Sequence, residues 1–222
     1  MTFLGLVTVW ALSICPTSDL DASEWSFPSP KNVCVDKDRS GCADAIEEEM
    51  IRRHSAVVDR APGVLHFHMP TGGDFALPDT IDGEHRSHRY FFYGSSGEFH
   101  LIRVLSYESA WFGLLHRATG RFTEFYRGGL PVISPGRDLA ASASSQIGNR
   151  EALVEVWVAN GDGLARSAEF LLRTTSFGTP LVHWMSADRL AVCWKSKDDI
   201  VEVGHLYLDT DGWHLDHTQA AE

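Results

Sequence analysis

Apolar and polar residues alternate with a period of two from Gly63 onwards, and this pattern constrains the fold more than any other feature. In the first segment, Leu65 and Phe67 alternate with His66 and His68. Such alternation is typical of half-buried β-strands, because successive side chains point to opposite faces. Turns containing Gly, Asn or Asp recur at short intervals, so the sequence predicts about fourteen short strands in an all-β fold. After two strands at residues 63–69 and 75–77, the predicted strands are Arg89–Tyr93, Glu98–Leu105, Ala110–His116, Arg121–Tyr126, Leu130–Ile133, Leu139–Ala143, Ala152–Val158, Ala165–Leu172, Leu181–Trp184, Arg189–Trp194, Ile200–Leu208 and Gly212–Leu215.

A single helix is predicted, from Asp44 to about His54. Ile46 and Met50 lie one turn apart on the same face, and acidic residues precede basic ones, which suits the helix dipole. Together with the segment before it, this helix makes up residues 23–56, which are expected to contain a linker and an acidic, disulfide-closed loop. Residues 57–222 form the β-domain.

Residues 1–22 are predicted to be a signal peptide or a lipoprotein signal. The uncharged apolar run Phe3–Ile14 is too short to span a membrane and fits the hydrophobic region of a signal peptide. Leu12-Ser13-Ile14-Cys15 resembles a lipoprotein processing site, which would add a lipid anchor. The alternative is a buried strand or helix of the mature domain. Export predicts a periplasmic or secreted location.

The cysteines fit an oxidising compartment. Cys34 and Cys42 enclose a short loop and are predicted to form a disulfide. Cys193 lies in an apolar strand and is predicted to be a buried free thiol. No C-x-x-C pattern indicates structural zinc.

The net charge of −11 excludes a typical duplex-DNA binder, because phosphates require a basic surface. The acidity lies in residues 16–50 and 197–222, and the residues between them are close to neutral. Solvated acidic flanks are the simplest interpretation, and cation binding by one flank is the alternative.

The N-terminal acidic stretch fits the spacing of a calcium-binding loop, D-x-D-x-S-G-x5-E, with Gly41 at the sharp turn. The donors at this spacing are Asp36, Asp38, Ser40, the carbonyl of Cys42, Asp44 and Glu47. The alternative is a disulfide-closed loop that caps the helix, with Ser40 or Asp44 as the N-cap. The sequence establishes no cofactor, and calcium is the one that this loop suggests.

Histidines provide a second candidate metal site. His66 and His68 share one strand face and, with His85 and His88, could bind zinc with one position left for water. The alternative is the polar face of a half-solvated strand, because Leu65 belongs to the buried face.

Catalytic motifs are absent from the sequence. Gly94-Ser95-Ser96-Gly97 is a hairpin turn rather than a nucleophile elbow, and no P-loop or dinucleotide-binding fingerprint occurs. An aromatic set is interpreted as core and cross-strand pairs, with a carbohydrate- or peptide-binding patch as the alternative. Its members are Tyr90, Phe91, Phe92, Tyr93, Trp111 and Phe112.

A weak internal repeat places two similar turns about fifty residues apart, a period that suits a four-stranded propeller blade. Val132-Ile133-Ser134-Pro135-Gly136-Arg137-Asp138-Leu139-Ala140 parallels Trp184-Met185-Ser186-Ala187-Asp188-Arg189-Leu190-Ala191. These turns resemble the repeats of TolB and WD-like β-propellers. The strand count then predicts a β-propeller-like stack of about three to four blades with one N-terminal helix.

The chain from about Gly63 to the C-terminus also resembles a group of uncharacterised exported bacterial proteins. The segments that carry the resemblance are His88–Gly94, His100–Val104, Gly113–Arg121, Pro131–Pro135 and Val156-Trp157. The resemblance implies fold and export, and it implies no activity.

These observations predict an exported, non-catalytic binding module for an envelope protein or a small ligand. The alternatives are a metal-dependent hydrolase and a calcium-stabilised structural protein. Nucleic-acid partners and a membrane span are not expected. A homo-oligomer stays open, because isolated blades leave strand edges that need covering.

Overall fold

The computed structural model describes residues 25, 26, 28, 30–70, 72–80, 87–106, 109–125, 129–136, 138–146, 151–160, 163–174, 179–195 and 201–218. The predicted signal segment, residues 1–22, lies outside these segments. In these described segments, two helices precede the strands, α1 (Pro30–Val33) and α2 (Arg39–Arg53). No helix in the described segments is long and apolar enough to cross a membrane.

Fifteen strands follow in the described residues, and each pairs with its neighbour in sequence to make four sheets. Sheet I contains β1 (Val58–Ala61), β2 (Val64–His68) and β3 (Asp74–Pro78), and sheet II contains β4 (His88–Ser96), β5 (Phe99–Ser106), β6 (Ala110–His116) and β7 (Phe122–Phe125). Sheet III contains β8 (Val132–Ile133), β9 (Leu139–Gln146), β10 (Glu151–Asn160) and β11 (Gly163–Arg173). Sheet IV contains β12 (Leu181–Ser186), β13 (Arg189–Lys195), β14 (Val201–Asp209) and β15 (Gly212–Thr218). The predicted fold class, mainly β with three to four blade-like antiparallel sheets and one N-terminal helix, is confirmed; α1 is a single turn.

Helix α2 begins earlier than the predicted start at Asp44. Asp38 is its N-cap, and the Asp38 carboxylate accepts a hydrogen bond of 2.7 Å from the Gly41 N–H. The prediction that Ser40 or Asp44 caps the helix is therefore wrong, because Asp38 supplies the acceptor for the first turn. Much of the segment predicted as a calcium loop is helical.

The predicted disulfide between Cys34 and Cys42 is confirmed, with a Cα–Cα distance of 4.7 Å. It ties the segment before α2 to the first turn of that helix. The prediction of a free thiol at Cys193 is wrong, because Cys193 is disulfide-bonded. Cys193 is only 5% exposed, as its apolar strand predicts, but burial does not determine oxidation state.

The described residues fall into two compact units. The N-terminal unit comprises those within 20–127 and 160–164, and the C-terminal unit comprises those within 128–159 and 165–222. The N-terminal unit therefore contains α2 with sheets I and II, and the C-terminal unit contains sheet IV and nearly all of sheet III.

In the N-terminal unit, α2 packs on β4. Ile46 and Met50 of α2 are fully buried, as the helical spacing predicts, and so are Phe91 and Phe92 of β4. The interpretation of this aromatic run as core is therefore confirmed for its central pair. Gly94 follows with φ = 148°, and an added Cβ there would lie 2.6 Å from the carbonyl oxygen of Trp25, so only glycine fits.

In the C-terminal unit, small residues of sheet III pack against large residues of sheet IV. The buried cluster includes Ala141 and Ala143 of β9 together with Trp184 and Trp194. The indole Nε1–H of Trp184 donates a hydrogen bond of 3.0 Å to the carbonyl of Val132, which satisfies the polar atom of a buried ring.

The two similar turns found in the sequence occupy the same place in sheets III and IV. Each joins the first strand of its sheet to the second. Ser134 Oγ donates to Asp138 Oδ1 at 3.2 Å, and Ser186 Oγ donates to Asp188 Oδ1 at 2.6 Å. The sequence repeat therefore corresponds to a structural repeat.

All four sheets also share one backbone hydrogen bond, which is the last rung of the ladder between the second and third strands, and we call it the anchor bond. In each sheet, the carbonyl of the residue just before the second strand accepts from an N–H at the end of the third strand. The anchor bonds are Asp79 N to Gly63 O at 2.7 Å, Arg117 N to Glu98 O at 2.8 Å, Ala159 N to Asp138 O at 2.6 Å, and Leu208 N to Asp188 O at 3.1 Å. Three strands and one anchor bond are thus common to every sheet, and sheets II to IV add a fourth strand.

Candidate functional site

Strand β4 lies at an edge of sheet II, and the chain seals that edge. His88 exchanges two backbone hydrogen bonds of 2.9 Å with Thr80. Further along, the Tyr90 N–H donates to Asp79 Oδ1 at 3.0 Å, and the guanidinium of Arg60 donates to the Tyr90 carbonyl. Backbone and side chains therefore replace the missing neighbour strand, which is a known way of protecting an edge.

Glu47 of α2 continues this seal. Its Oε1 accepts from the Phe92 N–H at 2.8 Å, and the carboxylate pairs with Arg60 at 2.7 Å. Glu47 is only 5% exposed. Burial raises the pKa of Glu47, while the ion pair and hydrogen bond with Arg60 oppose that shift. The arrangement fixes α2 to sheet II and keeps Glu47 buried.

The predicted calcium ligands do not line a loop. Asp36 lies in an exposed turn with φ = 56°, Asp38 caps the helix, and Cys42 is in the disulfide. The remaining donors lie within α2 and contact arginines: Asp44 pairs with Arg89 at 2.9 Å, Ser40 accepts from Arg89 at 3.4 Å, and Glu47 pairs with Arg60. Calcium binding therefore stays a prediction.

The predicted zinc ligands are engaged separately. His68 Nε2 lies 3.1 Å from Asp59 Oδ2, and His68 Nδ1 lies 3.0 Å from Asp74 Oδ1. The Asp74 hydrogen bond raises the pKa of His68. His66 lies opposite Asp59 in the sheet register, and the ring of His88 contacts Trp111 edge-on at 5.5 Å.

His85 lies outside the described residues. Within the described segments, no group of three or more His, Cys, Asp or Glu side chains is arranged to hold a metal ion. The zinc site stays a prediction.

One pair of residues that resembles catalytic machinery escaped the sequence reasoning. Ser95 Oγ lies 2.7 Å from His100 Nδ1 across the β4–β5 hairpin, where the two residues are register partners. In the sequence, the only indication of this contact is that Ser95 and His100 lie on either side of the Ser96-Gly97 turn. His100 is 1% exposed and contacts the rings of Phe67 and Phe92.

Burial lowers the pKa of His100 to about 3, helped by the positive charges of Arg117 and His54. The imidazole is therefore neutral near pH 7, and the Ser95 hydroxyl can donate to it. A general base works best with a pKa near the operating pH, so His100 is a poor base for activating Ser95. The pair is a buried, satisfied hydrogen bond of the core.

The outer edge of β3 differs from the sealed edge of β4. The backbone pairs Met69–Gly73 at 2.9 Å and Asp79–Gly63 at 2.7 Å bracket the β2–β3 ladder. Hydrogen-bonded pairs alternate along an antiparallel ladder, so the backbone groups of Phe75 and Leu77 point to β2. Those of Asp74, Ala76 and Pro78 point away, and the side chains of these three residues are exposed.

Within the described segments, the backbone of Asp74–Pro78 has hydrogen-bond partners on β2 alone. In sheets II and IV, the corresponding third strand pairs with a fourth. The β3 edge is therefore the candidate functional site of the described chain.

Comparison of the chain with models of protein families, with curated proteins and with solved structures finds no match.

Proposed function

We propose that the protein is a non-catalytic interaction module that recognises another polypeptide. The observation that carries this proposal is that sheet I has three strands in the described residues, so its third strand presents hydrogen-bonding groups where the three other sheets have a fourth strand. Exposed strand edges are templates for pairing with another chain, and proteins that do not use them usually cover them. This chain seals the β4 edge with Glu47, Arg60 and Asp79, whereas the backbone of β3 has partners on β2 alone within the described residues.

The chemistry of the buried polar groups supports a non-catalytic role. His100, the one histidine close to a serine hydroxyl in the described residues, has a pKa of about 3. Glu47 is occupied by Arg60 and by the backbone of Phe92. Both groups stabilise the fold, and neither is placed to exchange protons with a substrate.

We also propose an exported location, periplasmic or extracellular, and a relationship to TolB and WD-like propeller repeats. The Cys34–Cys42 disulfide supports an oxidising compartment, because such bonds are rare in reducing cytosol. The anchor bond and the Ser–Asp turns of sheets III and IV support a repeat architecture. An envelope protein is the partner class that fits this location.

The test is reconstitution from purified components. Tagged full chain is incubated with envelope extract, retained proteins are identified, and each candidate is purified and titrated against the full chain by calorimetry. The expected result is saturable one-to-one binding by at least one candidate. Retention that disappears when both components are pure contradicts the proposal.

A further inference from the structure

We infer that a strand of the partner polypeptide completes sheet I by adding antiparallel to β3. The inference rests on the proposed function and specifies how the partner is recognised. Strand addition uses backbone hydrogen bonds for affinity and alternate side chains for specificity.

The repeat defines the position of the added strand. All four sheets share three strands and the anchor bond, and in sheets II to IV the chain then turns back to form a fourth strand. In sheet I the chain leaves instead: the anchor residue Asp79 binds Tyr90, and Thr80 pairs with His88 of sheet II. That side of the chain is therefore paired with β4 at Thr80, and the place beside Asp74–Pro78 has no partner in the described residues.

The edge offers a defined set of backbone groups. Asp74 and Ala76 each present an N–H and a carbonyl away from β2, and Pro78 presents a carbonyl only, because proline lacks the N–H. Proline at this position fits an edge strand and limits the pairing to a short segment. A short strand suffices elsewhere in this fold, since β7 has only four residues.

The side chains of β3 define the sequence of the partner strand. Phe75 and Leu77 face the core side with Phe67 and Leu65, and Phe75 is only half-buried, so apolar residues opposite them would complete the core. Asp74 lies on the outer face, where it contacts His68 at 3.0 Å while 72% of its side chain stays exposed, and this exposed carboxylate favours a basic residue opposite it on the added strand. In antiparallel order, the partner motif reads apolar, any residue, apolar, then Lys or Arg.

Amide exchange of the free protein tests the first step. In the full chain, we expect the amides of Asp74 and Ala76 to exchange quickly and those of Phe75 and Leu77 to be protected by β2. Protection of Asp74 and Ala76 at all protein concentrations would mean that the chain covers its own edge. Protection that increases with protein concentration would mean that a second copy covers it. Either result overturns the inference and leaves partner binding elsewhere on the molecule intact.

A peptide titration tests the second step. The probe is a synthetic octapeptide with Val-Thr-Val-Lys at its centre, and the matched controls carry Val-Pro-Val-Lys and Val-Thr-Val-Glu. We expect the probe to shift the amide resonances of Asp74 and Ala76 and to slow their exchange about tenfold at saturation. Neither control should do so. An absence of shifts with the probe, or equal shifts with all three peptides, contradicts strand addition.

Variants link the edge to partner binding. Ala76→Pro removes the central outward N–H at a position where an edge strand tolerates proline, and Ala76→Val keeps it. We expect Ala76→Pro to weaken binding of the probe and of the reconstituted partner at least about tenfold, and Ala76→Val to change it less than about threefold. Unchanged partner binding by Ala76→Pro refutes strand addition without refuting the interaction module.

Charge reversal provides a route that does not depend on proline. Asp74→Lys should weaken binding of the Lys peptide and strengthen binding of the Glu peptide, because the exposed Asp74 carboxylate selects the basic residue. If the wild type and Asp74→Lys show the same preference between the Lys peptide and the Glu peptide, the proposed motif is wrong.

Discussion

Individual side chains seal the β4 edge, and Glu47 contacts both the strand and Arg60. Glu47→Ala leaves the Phe92 N–H without its acceptor and Arg60 without its main carboxylate partner. Removing one member of a buried ion pair is costly, so we expect the free energy of unfolding in urea to fall by about 3 kcal/mol. Glu47→Gln keeps an acceptor and should lose less. Glu48→Ala, exposed on the same helix, is the control and should change stability by less than about 0.5 kcal/mol.

His100 predicts a dependence of stability on pH. The folded protein keeps this imidazole neutral down to about pH 3, whereas the unfolded chain binds a proton near pH 6.5. Between these values the unfolded state binds more protons, so stability decreases as pH falls from 6.5 towards 3. This group contributes a slope of up to about 1.4 kcal/mol per pH unit.

The corresponding measurement is urea unfolding across that pH range. His100→Phe should flatten the curve, while His183→Gln, at an exposed position of β12, should leave it unchanged. An identical pH dependence in the wild type and in His100→Phe would show that His100 does not control it.

Substitution of Gly94 and of Gly212 separates the stability cost of a steric clash from the cost of backbone strain. Gly94→Ala places a methyl group 2.6 Å from the Trp25 carbonyl at φ = 148°. Gly212 has φ = 122° with no atom within 4 Å of an added Cβ, so Gly212→Ala measures strain without the clash. We expect the melting temperature to fall several degrees further for Gly94→Ala, because a clash adds about 1–3 kcal/mol to the strain. Equal losses would exclude the clash.

At the scale of elements, the start of helix α2 distinguishes a cap from a calcium loop. Asp38→Ala should destabilise the calcium-free protein by about 1 kcal/mol, because the Gly41 N–H loses its acceptor. Asp36→Asn, in an exposed turn whose positive φ asparagine tolerates, should have little effect there. The measurement is chemical unfolding in chelator.

Repeating the measurement with calcium tests the loop directly. Stabilisation by calcium that Asp36→Asn removes would support the predicted calcium site. If calcium does not stabilise the protein, or if it stabilises Asp36→Asn equally, this residue spacing occurs here without calcium binding at the predicted site.

Strand positions were the part of the fold that local sequence could predict. The alternation in β2 and the turn at Thr119-Gly120 depend on neighbouring residues, and the structure has a strand or turn there. The helix start was misplaced because three polar residues, Asp38, Ser40 and Asp44, could each have served as the cap.

Contacts between distant residues could not be predicted in this way. Glu47 meets Arg60 and the Phe92 N–H only after α2, β1 and β4 have packed together, and no local pattern encodes that meeting. The β3 edge could not be predicted for a similar reason. The three strands of sheet I can be recognised as one fewer than usual only when all four sheets are compared. Ser95 and His100 are the exception, since hairpin register alone pairs them.

At the scale of the molecule, the chain forms two compact units, and we expect each of them to unfold separately from the other. Leu190 is fully buried in the core of the C-terminal unit, and Leu190→Ala should lower the stability of that unit by about 3 kcal/mol. Site-resolved amide exchange should then show reduced protection in sheets III and IV and nearly unchanged protection in sheets I and II. An equal loss in all four sheets would mean that the chain unfolds as one unit.

The anchor bond also bears on how such a chain could have evolved. The three strands that every sheet shares can be regarded as one block, and the anchor bond joins its second and third strands through backbone atoms rather than through particular side chains. A gene segment that encodes one block can therefore be duplicated, shortened or diverge in sequence while this backbone pairing persists. Ancestry among the four blocks would then be better preserved in hydrogen-bond topology than in amino-acid identity, which fits a chain whose sequence retains a visible repeat in only two of them.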